Sequence, residues 1–260
     1  MPRNQPCAML LHFLGFLVMG IAFGFVGGLF GLGGGLIGIP MLGIFFGFPQ
    51  QLAQGTALVL VIPTALVGLV QYLRRVKLNW RVVGVLCVTA FPLTIGGAHV
   101  ATLIPSRALR FAFVAFLVLL ALYIARRAWM LGRRKPRAPL PLPFATVVGV
   151  MSGAVSGLFS VGGSIFSVPL LTEFFAMSQT VAQATSVAFS VPGVFISIFV
   201  YAHAGDVDWM VGIPLAIGGM SAASFGVAVA HRLPERTLRF LFVAFVLISA
   251  AALFVRSTEL

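Results

Sequence analysis

The chain has 260 residues, of which 60% are apolar and only 8% charged, and its mean hydropathy is +1.10. A soluble domain covers its surface with roughly a quarter charged residues, so a chain this poor in charge is built to face lipid, and the soluble fold classes are excluded. The net charge of +12 is confined to short interruptions between apolar runs, which is the pattern of cytoplasmic loops and not of a nucleic-acid footprint; no nucleic-acid partner is expected.

Apolar runs at 9–32, 55–73, 82–104, 111–125, 186–202, 210–230 and 238–255 reach or approach the ~20 residues that cross a bilayer as a helix. The first follows Arg3 in the manner of a signal peptide, but it continues into a glycine-rich stretch without an A-x-A cleavage site, and it is expected to be retained as a membrane segment. Cys7 and Cys87 offer neither a disulfide framework nor a paired metal spacing. Gly20, Gly24 and Gly28 recur every four residues, a spacing that lets membrane helices approach closely. The break Gly31-Leu-Gly-Gly-Gly35 then interrupts the helix, and the run 36–47 is too short to span alone, as in a re-entrant or broken helix. After Gln54 and Thr56 come two more apolar helices, separated by the basic loop 74–81 with Arg74, Arg75, Lys77 and Arg81. Arg107 and Arg110 follow Pro105 at a helix start, where they are expected to anchor the chain at the interface.

The remainder repeats this plan. Residue n laid over residue n+129 matches without a gap. GLFGLGGGLIGIPML (28–42) meets GLFSVGGSIFSVPLL (157–171), LAQGTALVLVIP (52–63) meets VAQATSVAFSVP (181–192), and RALRFAFVAF (107–116) meets RTLRFLFVAF (236–245). Tyr72 meets Tyr201, Trp80 meets Trp209, and Pro105 meets Pro234. Such self-similarity marks a duplicated module. The expected organisation is a first transmembrane repeat over 9–130, a basic, proline-rich cytoplasmic linker over 131–143, and a second transmembrane repeat over 144–256. The fold class is all-α and polytopic.

Loop charge bears on how the copies are oriented. Residues 74–81 carry four basic side chains, whereas the matching 203–210 carries none and has Asp206 and Asp208. Matched loops of such different charge are expected on opposite sides of the membrane, which requires an odd number of crossings per copy and an inverted repeat. A parallel four-plus-four arrangement is the alternative.

The two breaks are the strongest functional signal. Glycine allows unusual backbone angles and close main-chain approach, and irregular backbone at membrane depth is tolerated only inside protein or along a water-filled cavity. Half-helix N-termini at such breaks present N–H groups to anions. The bland alternative for these glycines is tight packing alone. The candidate substrate-binding residues are Gly33, Gly34, Gly35, Gln54 and Thr56 in the first copy, with Gly162, Gly163, Ser164, Gln183, Thr185 and Ser186 in the second. The neutral side chains could replace a solute's hydration, or could serve only to hydrogen-bond neighbouring helices. Glu173 meets the apolar Ile44, and neither His99 nor His203 has a histidine counterpart in the other copy; all three are expected at interfaces. No metal ligand set, no nucleotide-binding P-loop and no nucleophile motif is present, so no enzyme activity, metal or cofactor is expected.

The doubled pattern G-x-x-x-G-x-G-G-G-x-x-x-x-P-x-L, each copy followed by A-Q-x-T-[SA], resembles the sulfite exporter TauE/SafE family, also grouped as the toluene-sulfonate uptake permeases. The likeness runs from about 15 to 255 and includes the duplication. It departs at Ser160 and Ser164, where the first copy has glycines, and at Ala57, where the second has Ser186. The resemblance implies a secondary transporter of the bacterial plasma membrane that moves a small sulfur-containing anion, such as sulfite, sulfoacetate or a related organosulfonate. Its partners would be that anion, the lipid bilayer and a coupling proton or other ion. A membrane-embedded assembly factor or enzyme without solute flux is the alternative.

Overall fold

The computed structural model describes residues 5–30, 34–74, 76–129, 141, 143–230, 233 and 235–258, and every regular element among them is an α-helix. In chain order these are α1 (Gln5–Phe30), α2 (Gly35–Phe46), α3 (Gln50–Leu73), α4 (Trp80–Leu103) and α5 (Ser106–Trp129). The sequence continues with α6 (Phe144–Phe159), α7 (Ser164–Phe174), α8 (Gln179–His203), α9 (Trp209–Ala230) and α10 (Glu235–Thr258). Helices are the expected outcome, because hydrocarbon offers the backbone no hydrogen-bond partner and a helix satisfies it internally. Six of the described segments are long and apolar enough to cross a membrane: His12–Phe30, Gln50–Leu73, Trp80–Leu103, Ser106–Arg126, Thr180–His203 and Trp209–Val229. The chain is a multi-pass membrane protein. Most of the basic segment at 131–143 lies outside the described residues.

Helices α2 to α5 begin 129 residues before α7 to α10, and the packing follows the same correspondence. Helix α1 lies along α9, while its counterpart α6 lies along α4. Both contacts run over the glycine stripes. A Cβ at Gly24 would fall on the backbone of Gly219, and one at Gly153 would fall on the backbone of Ala90. Likewise Gly20 abuts Leu215, Gly28 abuts Ala223 and Gly157 abuts Thr94. The absence of a side chain at these positions brings two helix backbones together, which is how membrane helices gain van der Waals contact without a hydrophobic driving force.

Helices α3 and α8 meet at the centre and run antiparallel. Tyr201, near the end of α8, lies against Gln54 near the start of α3, and Tyr72, at the end of α3, lies against Gln183 near the start of α8. Helices α5 and α10 pack together on one flank. The largest buried cluster joins α1, α2, α3, α5, α9 and α10 with Phe159, Val161 and Ile165, so the second break is embedded in a core built mainly by the first copy.

Candidate functional site

Local sequence explains the shape of both breaks. Helix α6 ends at Phe159, and Ser160, Gly162 and Gly163 all take positive φ, at 56°, 76° and 62°, before α7 starts at Ser164. The left-handed conformation costs an ordinary residue ~1–2 kcal/mol and glycine almost nothing. In the first copy Gly34 takes φ 80° immediately before α2; Gly33 lies outside the described residues. Neither short helix has a side chain capping its start, so the partial positive charge of each N-terminus is left to backbone and surroundings. The breaks also approach each other, since a Cβ on Gly35 would stand 3.5 Å from the carbonyl oxygen of Ser160.

Beside the second break is a cavity of about 50 Å³. Since ~10–15 Å³ by the same kind of measure accommodates a water, this is room for a few waters or one small polyatomic anion. Its polar lining comes from Gly162, Ser164, Ser190, Thr64 and Tyr72, and Gly27 and Gly28 of α1 form part of its wall. Among the described residues no ionised side chain lines it. Ser190 Oγ is buried without a partner in the protein, and a buried hydroxyl without a partner costs about 1–3 kcal/mol. A solute accepting its proton would recover that cost.

Of the sequence candidates, Gly162 and Ser164 line this cavity. Gly34 packs on Leu60 and the Phe23 carbonyl, and Gly163 on Ser152, Ser156 and Phe189. Gln54 is fully buried: Tyr201 Oη donates to its Oε1 at 2.8 Å, while its Nε2 has no partner in the protein. The matched pair has the same form, with Tyr72 Oη donating to Gln183 Oε1 at 3.1 Å. Each tyrosine therefore reaches across to the other copy and takes the carbonyl end of its glutamine, turning the amide nitrogen elsewhere as a donor.

Thr56, Thr185 and Ser186 are buried as well, but Thr56 and Ser186 have structural partners. The backbone N–H of Asp208 donates to Thr56 Oγ1 at 3.0 Å, and Ser186 Oγ lies 2.8 Å from Ser167 Oγ. The acidic loop thus closes over the start of α3, with the Asp206 carbonyl seated on Gly55. Partial burial pushes the Asp206 carboxyl above its ordinary value. Asp208 Oδ1 accepts from the backbone N–H of Met210 and Val211 and starts α9.

The sequence reading missed Tyr72 and Tyr201 as functional groups, having used them only as register marks, and missed Ser190 and Thr64 altogether. A signal for Ser190 exists: Ser186, Ser190 and Ser197 share one face of α8 at helical spacing, inside an otherwise apolar run.

The family model described as Sulfite exporter TauE/SafE matches residues 16–253. The probable membrane transporter protein YjnA of Bacillus subtilis is 26% identical over 91% of this chain and 98% of its own length. YunE of the same organism, also a probable membrane transporter protein, is 24% identical over 88% of this chain and 92% of its own. One from Methanocaldococcus jannaschii is 25% identical over 88% and 89%. No solved structure matches the chain. A match spanning nearly all of a bundle of membrane-crossing helices, with relatives of the same length and kind, makes this chain a membrane transporter of the Sulfite exporter TauE/SafE family.

Proposed function

We propose that the chain is a secondary transporter carrying a small sulfur-containing anion, such as sulfite, sulfoacetate or a related organosulfonate, across the plasma membrane, with the anion bound between the two glycine-rich breaks. The observation that carries this reading is the cavity itself, lined by hydroxyl groups and the glycine-rich start of α7, with no ionised side chain. Two helix N-termini contribute about half a positive charge each, acting strongly where water is excluded. Helix α7 starts at the cavity and α2 only near it, so a negative charge is offset in part without Lys or Arg, whereas a cation would meet the like partial charge of the α7 start. Gln54 and Gln183, held by the tyrosines, supply further N–H groups within the same central helix pair. The family description, with its mention of sulfite, supports the chemical class.

The same reading orients the chain. The repeats at 9–130 and 144–256 are inverted, with the linker at 131–143 and the loop 74–81 in the cytoplasm and 203–208 outside. The antiparallel pairing of α3 with α8 and the opposite charge of the matched loops support this.

Purified protein in liposomes tests the proposal through uptake of labelled sulfite, sulfoacetate and taurine. Saturable flux is expected for at least one of them, with little or none in Gly163→Leu, whose side chain would be forced into positive φ against the Ser152 carbonyl 3.3 Å away. An assembly factor would give no flux with any solute, and a channel would give flux that does not saturate; either result rejects the reading.

A further inference from the structure

At the end of the bundle where α3 and α5 start and α10 finishes, two arginines meet with no carboxylate paired to either among the described residues. Arg110, in the second turn of α5, is 7% exposed. Its Nη2 donates to the Phe48 carbonyl at 3.1 Å, and its Nε is buried with no partner in the protein. Arg256, in the last turn of α10, lies close enough for its charge to be felt at Arg110. Its Nη2 flanks the Gly47 turn, standing 3.2 Å from where a Cβ on Gly47 would be. Gln50 opens α3 one turn away. It is 1% exposed, its backbone N–H donates to Ser106 Oγ at 2.7 Å, and its Nε2 has no partner.

The electrostatic account of this corner does not balance among the described residues. Two guanidinium groups repel, and the N-termini of α3 and α5 add positive potential. Arg256 is stabilised by the C-terminus of its own helix, but Arg110 sits near the unfavourable end of α5. Among the described residues no carboxylate pairs with either arginine. The acids at this end, among the described residues, lie in the 203–208 loop, where Asp208 Oδ1 accepts from the start of α9 and the backbone of Asp206 is seated on Gly55. A buried charge without a counter-charge is among the costliest features a fold can keep, and the orphaned atoms, Arg110 Nε and Gln50 Nε2, are both donors. An oxyanion supplies what is missing, a negative charge with several acceptors, and arginine binds such groups in preference to lysine through its planar fork.

We infer that Arg110, Arg256 and Gln50 form a second anion site, separate from the central cavity, that takes an oxyanion head, either a free tetrahedral anion or the phosphate of an anionic lipid at the membrane surface. None of the three lines the central cavity, so the site stands whether or not the transport reading does.

Two probes separate the sources. Purified full-length protein is melted with inorganic phosphate against chloride at matched ionic strength, and its retention of phosphatidylglycerol is counted by native mass spectrometry. Stabilisation by phosphate identifies a free anion, and retained phosphatidylglycerol with no phosphate effect identifies a lipid. Whichever signal appears should weaken at least about tenfold in Arg256→Gln, the loss expected when a charge-assisted contact is removed. Arg110→Lys, chosen to keep the buried charge, should weaken it by losing the fork. Arg107→Gln, exposed on the same helix, and Ser190→Ala, in the central cavity, should leave it intact. Absence of both signals in the wild type, or equal loss in Arg107→Gln and Arg256→Gln, would overturn the site.

Discussion

Gln183 and its partner Tyr72 show how a neutral side chain is given a direction. An amide can present either its oxygen or its nitrogen to a ligand. The phenol of Tyr72 occupies the oxygen, which leaves the nitrogen and suits the group to a negative ligand. Gln183→Ala should weaken anion binding by about 0.5–1.5 kcal/mol. Gln183→Glu should be far worse at pH values where the acid is ionised, because like charges then meet at close range. Tyr72→Phe should weaken binding comparably to Gln183→Ala, and the double variant should lose less than the sum, since the two act as one unit. Isothermal titration with the transported anion measures all four; a glutamate variant that binds as well as the alanine variant removes Gln183 from the site. Matched glutamines and tyrosines are visible in the sequence, but the crossing of each pair is not. The partners are 147 and 111 residues apart, and only the antiparallel meeting of α3 and α8 joins them.

At the scale of elements, the two long glycine-lined contacts define the bundle. At Gly24 a methyl group would land on the backbone of Gly219, whereas Gly84 has nothing within 4 Å of an added Cβ. Gly24→Ala must therefore push α1 from α9 and should cost several degrees of melting temperature in detergent. Gly84→Ala, in the second turn of α4, should be neutral or stabilising by up to about 1 kcal/mol, the ordinary gain of alanine over glycine in a helix. Equal melting of the two variants would show that the stripe does not set the approach. Spacing alone reveals that Gly20, Gly24 and Gly28 form such a stripe. It does not reveal that the partner is α9, because α1 bypasses its own copy's long helices to pair with the other. The short helices have a local cause instead: Gly34 and Gly163, just before α2 and α7, both take the left-handed angles that only glycine adopts freely.

The whole molecule is less symmetric than its sequence. Tyr72, Gly68 and Val227 line the cavity and are partly exposed, while their counterparts Tyr201, Ser197 and Ala98 are buried. A solute bound there would communicate with the end of the bundle carrying the 74–79 loop, and the matched positions towards the opposite end are closed. Exchange of the two arrangements between the copies would open the other side, as transporters built from paired repeats do. In a background lacking Cys7 and Cys87, Gly68→Cys should react readily with a soluble maleimide, and Ser197→Cys only during turnover. Ser197→Cys that stays protected under saturating transported anion would argue against such an exchange. Lys77→Cys and Ala204→Cys, probed in intact cells, should label from opposite sides; labelling of both from one side would leave only the parallel arrangement. Loop charge is the sequence's ground for expecting that orientation, whereas the burial that differs between matched cavity positions depends on packing that no residue pattern encodes.

The crossed tyrosines also bear on ancestry. Because each copy's glutamine is held by the other copy's phenol, neither half carries both members of a pair, and a single ancestral module would have needed a second copy of itself before the two genes were joined. The covalent link then adds proximity and fixed stoichiometry, but no part of the binding chemistry. Halves 1–137 and 138–260, made as separate polypeptides in one cell, should reassemble into a working carrier, and either alone should be degraded or inert. Activity from one half by itself would mean that the module is self-sufficient and that the crossing arose after fusion.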